Sequence, residues 1–194
     1  MQKTLENLTK AFVGESQARN RYSMFASAAR KEGYLQIADI FEETADQEKE
    51  HASWFFKMIQ SVKEKMGVAM DEVSIETGAF VKIGTTLENL GYSAAGEHHE
   101  YDVLYPEFAR VAQEEGLPEV AARIRNIAIA ETHHEQRYLK LRNQLNDNTL
   151  RVKADDVRWI CTKCGYMHKG KSPLEICPSC GHDKAYAIVQ CEEY

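Results

Sequence analysis

The sequence predicts an all-α four-helix bundle with one long crossover connection, followed by a small C-terminal β/knuckle metal domain. Three observations carry that expectation. Residues 1 to about 146 are rich in helix formers and contain two prolines, Pro106 and Pro118. The same region repeats itself, each half holding a lone glutamate and then a Glu-x-x-His. All five cysteines fall in the last 34 residues, four of them paired as "CTKC" and "CPSC".

The elements follow in order. "LENLTKAFVGESQARNRYSMFASAARKEG" sets apolar residues at three- and four-residue steps, through Leu5, Leu8, Phe12, Tyr22, Phe25 and Ala29, the mark of an amphipathic helix. Gly33 is placed to end it. A second helix runs through "LQIADIFEETADQEKEHASWFFKMIQSV". The mixed stretch "KEKMGVAMDEVSIETGAFVKIG" reads as the crossover, carrying a short helix of its own. "TTLENLGYSAAGEHHEYDVLYPEFARVAQEEG" is a third helix, capped by Thr85 or Thr86 and ended by Gly116. Pro118 opens a fourth, "PEVAARIRNIAIAETHHEQRYLKLRNQL". The bundle therefore spans 1–146. The polar residues 147–156 are a linker, and 157–194 form the cysteine domain.

Composition excludes several functions. The chain is 43% hydrophobic and 28% charged with a formal charge of -6, so nucleic acid, which demands concentrated positive charge, is not an expected partner. No apolar run approaches the ~18 residues of a membrane helix, and no export signal is visible at the N-terminus. A cytoplasmic location is expected, where paired cysteines bind metal rather than form disulfides.

The repeat carries the first site. Gly14-Glu15 precedes "FASAARKEG" and "EKEH"; Gly96-Glu97 precedes "FARVAQEEG" and "ETHH". Gly33 and His51 are 18 apart, as are Gly116 and His134. Each half thus supplies a glutamate (Glu15, Glu97) and a Glu-x-x-His (Glu48 with His51, Glu131 with His134). Residues three apart share a helix face, and this combination on four helices is the ligand set of dinuclear iron or manganese carboxylate sites. Apolar neighbours Ile37, Phe41, Trp54, Ile127 and Tyr138 argue that the acids are buried, where metal offsets their charge. A single Glu-x-x-His on a solvated helix face would be unremarkable; two in register with matching glutamates are not. His98, His99 and His133 lie one step around their helices and are read as surface groups or supports for ligands. Tyr22 and Tyr105 occupy matching positions, either as core aromatics or as phenols serving ligand carboxylates or bound oxygen species.

The halves differ once. Glu15 to Phe25 is 10 residues, and Glu97 to Phe108 is 11. A helix absorbs one extra residue as a π-bulge, and Pro106, lacking an N–H, marks the place. Glu100 lies just before it, where the first half has Ala18.

The second site is Cys161-x-x-Cys164 and Cys177-x-x-Cys180. Four thiolates fit zinc or a single iron. Trp159, Tyr166 and Tyr186 suggest an aromatic shell that tunes a redox centre and so favours iron. Cys191 stands outside both pairs and is expected to be free.

With these motifs in place, the chain resembles the rubrerythrin family over essentially its whole length. The resemblance implies a ferritin-like di-iron bundle and a rubredoxin-like tail. It places iron ligands at Glu15, Glu48, His51, Glu97, Glu100, Glu131 and His134, with the single iron on Cys161, Cys164, Cys177 and Cys180. It further implies a peroxidase that reduces hydrogen peroxide to water in oxidative-stress defence. Electrons would come from an external donor such as rubredoxin, ferredoxin or an NAD(P)H-dependent reductase, and pass between subunits of a head-to-tail homodimer. In that family one iron shifts between the positions of Glu100 and His51 with oxidation state. A ferroxidase or iron-handling protein, and a sensor with a zinc ribbon, are the rival readings.

Overall fold

The computed structural model of the protein describes residues 1–191. Four helical rods form the main body. Helix α1 (Gln2–Lys31) and helix α2 (Leu35–Met66) make one hairpin. The third rod is helix α3 (Thr86–His99), a π-helical turn (Glu100–Leu104) and helix α4 (Tyr105–Glu114) end to end. It pairs with helix α5 (Pro118–Asn146).

The sequence repeat is also a repeat of hydrogen bonds. Gly33 and Gly116 take φ of +78° and +79°, the left-handed conformation that glycine adopts without a Cβ penalty. Beyond them, the Tyr34 and Leu117 N–H groups each reach back 2.8 Å, to the carbonyls of Ala29 and Ala112, closing both helices in the same way. The glutamate before each glycine caps the other half. Glu115 accepts from the Thr4 N–H at 2.8 Å and hydroxyl at 2.6 Å. Glu32 accepts from the Thr86 N–H at 3.0 Å. A carboxylate at a helix N-terminus satisfies orphan donors and complements the dipole. Thr85 is the N-cap of α3, in a capping box with Glu88.

The connection between the hairpins differs from expectation. α2 continues to Met66 and ends at Gly67, with φ +65°. Residues 67–85 then run without a helix. Their β-branched residues, Val68, Val73, Ile75, Val81 and Ile83, follow no three- or four-residue period, and such side chains lose rotamer freedom in a helix. Met70 and Val73 pack against the core, but Val81 is 92% exposed.

The apolar core is split in two. One cluster joins Leu5, Leu8, Phe55, Ile59, Tyr105, Phe108 and Ile124 at one end of the bundle. The other joins Tyr22, Phe25, Ile37, Phe41, Leu90 and Tyr138 at the other end. Each large side chain so buried contributes roughly 1.5–3 kcal/mol, and these two plugs offset the polar layer between them. Trp54 is half-buried at the margin, its ring between Lys57 (4.5 Å) and Arg123 (4.0 Å).

The tail is a three-stranded antiparallel sheet in the order β2-β1-β3, from β1 (Val157–Cys161), β2 (Met167–Gly170) and β3 (Ala187–Val189). Trp159 is buried beneath it and donates to the Gly170 carbonyl at 2.9 Å. The tail sits against the start of α2. Arg151 donates to the Gly33 carbonyl, and Ala185 and Ala187 face Leu35 and Ile37 across a small cleft.

Candidate metal centres

Glu15, Glu48, Glu97 and Glu131, one from each rod, are all 0% exposed in the layer between the two apolar clusters. Their ligand atoms and those of two histidines form two overlapping groups, Glu15–Glu48–His51–Glu131 and Glu48–Glu97–Glu131–His134, each with all its atoms within 4.8 Å of one another. Glu48 and Glu131 belong to both groups, as bridging carboxylates would. Glu15 with His51, and Glu97 with His134, complete either side.

The distances agree with that division. His51 Nδ1 lies 2.9 Å from Glu48 and 2.9 Å from Glu131, with Glu15 at 4.0 Å. His134 Nδ1 lies 2.8 Å from Glu131, 3.2 Å from Glu48 and 3.9 Å from Glu97. The close approaches to His134 lack hydrogen-bond alignment, so its Nδ1 has no hydrogen-bond partner. One oxygen each of Glu15, Glu48 and Glu97, and both of Glu131, are in the same condition. Six unsatisfied buried ligand atoms converging on one layer cost far more than the fold would tolerate without compensation. Two divalent cations supply it, and the donor set of carboxylates and imidazoles suits iron.

The electrostatics point the same way. Burial pushes Glu15 and Glu100 well up, and the neighbouring carboxylates push further. Burial, with the charge of Glu48, raises Glu97 to about 7. Burial also opposes charge on Glu48, but His134 and His51 outweigh it and hold Glu48 at about 2. Burial opposes the imidazolium of His51, yet Glu131 and Glu48 carry it up to about 10. The layer is a proton store that metal binding would empty, because carboxylate and imidazole ligate in their deprotonated forms.

Tyr22 and Tyr105 are buried in the two apolar clusters, and their hydroxyls reach across the bundle. The Tyr22 hydroxyl donates to Glu97, and the Tyr105 hydroxyl donates to Glu15. Each phenol thus crosses to the glutamate of the other half. A phenol on the outer oxygen of a carboxylate fixes which oxygen is left to bind metal. Nothing in the local sequence names these partners, which lie 75 and 90 residues away.

The inserted residue is taken up as the π-helical turn Glu100–Leu104, where the Tyr105 N–H bonds the Glu100 carbonyl. Glu100 belongs to neither ligand group; its carboxylate instead lines a cavity of about 440 Å³ between α1, the third rod and the crossover. His98, His99 and His133 are exposed. His98 Nδ1 is 2.8 Å from the Tyr101 hydroxyl, which donates to Glu135 at 2.7 Å. This surface chain, which the sequence did not suggest, ties the π turn to α5.

The second centre is local. Cys161, Cys164, Cys177 and Cys180 bring their sulfurs within 4.8 Å. Two matching knuckles place them: Gly165 and Gly181 take φ of +76° and +74°, and their N–H groups bond the carbonyls of Cys161 and Cys177 at 2.8 and 2.9 Å. The backbone N–H of Tyr166 favours thiolate on Cys164 and holds it at about 6. The aromatic shell is thinner than expected. Trp159 is buried and Tyr186 half-buried, but Tyr166 is 39% exposed, because the knuckle uses its backbone rather than its ring. Cys191 is free and exposed.

Comparison with known proteins agrees with this architecture. A rubrerythrin family model matches residues 6–142, and a rubrerythrin rubredoxin-like domain model matches residues 159–186. A rubrerythrin of Clostridium perfringens is 48% identical over 99% of this chain and 96% of its own. Among solved structures, a nigerythrin in a mixed-valence state aligns with TM-score 0.63 and 34% identity, covering 96% of this chain and 86% of that one. A bacterioferritin of Rhodobacter capsulatus aligns with TM-score 0.64 at 20% identity, over 76% of this chain and 87% of that one, which shows the ferritin-like fold. With its di-iron carboxylate–histidine site and its four-cysteine rubredoxin-like site, the chain belongs to the rubrerythrin family.

Proposed function

We propose that the protein is a peroxidase that reduces hydrogen peroxide to water at the bundle site, with the tail delivering electrons. The observation that carries this reading is the pair of overlapping ligand groups with a further carboxylate, Glu100, beside them and facing a cavity. When bound, two ferrous ions supply the two electrons that convert one peroxide and two protons into two waters, and a thiolate-bound iron accepts replacements from an external donor. The chain's own residues do the rest. Glu48 and Glu131 would be shared between two metals, with Glu15 and His51 holding one and Glu97 and His134 the other. Tyr22 and Tyr105 orient Glu97 and Glu15. Glu100, next to these groups, would offer a further carboxylate to a metal on the Glu15 side. The apolar clusters keep bulk water out, which strengthens every charge interaction inside.

The position of the tail supports electron transfer between subunits. It packs against Leu35 and Ile37, while Glu48 and His51 lie on the same helix 11 or more residues further on, roughly 17–20 Å at 1.5 Å per residue. Tunnelling falls steeply with distance. A head-to-tail homodimer brings one chain's tail to the other's bundle.

Reduced, iron-loaded protein mixed with one equivalent of peroxide tests the function. The expected outcome is that peroxide is consumed, visible thiolate-to-iron charge-transfer bands return, and both irons stay bound. Release of ferric iron would identify an iron-handling protein instead, and a colourless tail would identify a zinc ribbon. Among the described residues no helix is long and apolar enough to cross a membrane.

A further inference from the structure

The cavity beside Glu100 is far larger than the proposed substrate requires. Its volume is about 440 Å³, whereas a water molecule's share of the liquid is ~30 Å³ and hydrogen peroxide adds one oxygen to that. Pockets of about 300–1,000 Å³ are the usual size for organic ligands. The walls are amphipathic. Phe80 from the crossover, with Leu104 and Phe108 from the third rod, gives them apolar surface, and Glu100 and Tyr105 give a polar patch between. Two cations of α1, Lys10 and Arg21, also line it, and neither makes an ion pair among the described residues. The guanidinium of Arg21 lies 5.6 Å from the Phe80 ring centre and leans toward α3, where a Cβ on Gly96 would come within 3.8 Å of it. Lys10 is 11 residues earlier on the same helix, roughly 16 Å away at 1.5 Å per residue. Glu15 lies between the two on α1, so the cavity is an elongated slot with the metal layer beside its middle and a free ammonium at one end. Its roof is anchored: Gln17 donates to the Gly78 carbonyl at 3.4 Å, and Phe80 stacks at 5.3 Å on Tyr92.

We propose that this cavity is a binding site for alkyl hydroperoxides bearing a carboxylate, of the fatty-acid type, which the protein reduces alongside hydrogen peroxide. This rests on the peroxidase reading above. The hydroperoxide group sits by Glu100 at the middle of the slot, one arm of the chain runs past Leu104 and Phe108 to a carboxylate at Lys10, and the other arm lies along Phe80. The O–O bond breaks; two electrons, the same pair the bundle site gives to hydrogen peroxide, and two protons convert the hydroperoxide to the alcohol and water.

Glycine makes the site testable without touching a ligand. Gly14 lines the cavity, and a Cβ there meets nothing within 4 Å, so Gly14→Leu fills the slot while improving helix propensity. The probe is octanoate, an unreactive carboxylate with an alkyl chain, titrated calorimetrically into oxidised, iron-loaded, full-length protein. One octanoate per chain is expected, at least tenfold weaker in Gly14→Leu and about fivefold weaker in Lys10→Gln. In the same variants the rate with a fatty-acid hydroperoxide, divided by that with hydrogen peroxide, should fall at least tenfold and severalfold respectively. A thermal melt confirms that each variant is folded; should Gly14→Leu fail to fold, Lys10→Gln and the wild-type titration decide. No octanoate binding, equal binding to the variants, or a parallel loss with both hydroperoxides would overturn the site. Wild-type protein that binds octanoate but reduces no hydrogen peroxide would sink the proposed function and leave the binding site standing.

Discussion

The two metal sites are built in opposite ways. The tail collects four sulfurs from two short knuckles, each closed by its own backbone hydrogen bonds, and leaves Cys164 exposed. The bundle collects six ligand atoms from four rods, across more than a hundred residues of chain, and buries Glu15, Glu48, Glu97 and Glu131 completely. The tail's ligands are uniform, soft and locally fixed, which suits a centre that only changes charge. The bundle's are mixed and unsatisfied, with a spare carboxylate nearby, which suits a centre that changes partners. On the proposed function, chemistry belongs in the second and conduction in the first.

That contrast can be broken at the bundle. Glu131 touches both ligand groups and both histidines, so Glu131→Ala should abolish the dinuclear site and peroxide reduction together, while the red tail centre survives. Metal analysis with a visible spectrum checks it; loss of the tail's colour would mean the sites are not independent. Glu100→Ala should keep two irons but slow turnover by about 100-fold, the upper end of what losing a group that supports a metal site costs. Full activity in that variant would assign the π turn another purpose. Tyr22→Phe and Tyr105→Phe should each lower iron affinity or turnover about 10–100-fold, as loss of outer partners of ligands typically does. If neither changes by even threefold, the phenols are core aromatics only. The smallest effect sharpens the comparison between chains. Mixing Cys161→Ser chains with Glu48→Ala chains should restore about half of wild-type activity in mixed dimers, since one of two symmetric tail-to-bundle pairs is intact. Inactive dimers of demonstrated mixed composition would place the transfer within one chain.

Legibility in the sequence followed the same contrast. The tail was readable because its ligands and the glycines that shape it are neighbours in the chain. The bundle was readable only through its repeat, which put Glu15 and Glu97 in register with two Glu-x-x-His pairs. The π turn could be read because one residue too many, beside Pro106, has few places to go in a helix. What stayed hidden depends on contacts across the bundle: the crossed tyrosines, the caps from Glu32 and Glu115, and the cavity under Phe80. The crossover's missing helix has the same origin, since mixed composition at 67–85 left its conformation to packing that residues such as Val81 do not make. Tyr166 lines the cleft beside Trp159 and the cysteines as read, although its ring is 39% exposed.

The division of labour is tested most directly in Cys161→Ser protein, reduced, freed of excess reductant and mixed with hydrogen peroxide. The account predicts that about one equivalent per di-iron site is consumed as fast as in wild type, and that turnover then stops even when an external donor is supplied. Continued turnover, or no consumption at all, would contradict it.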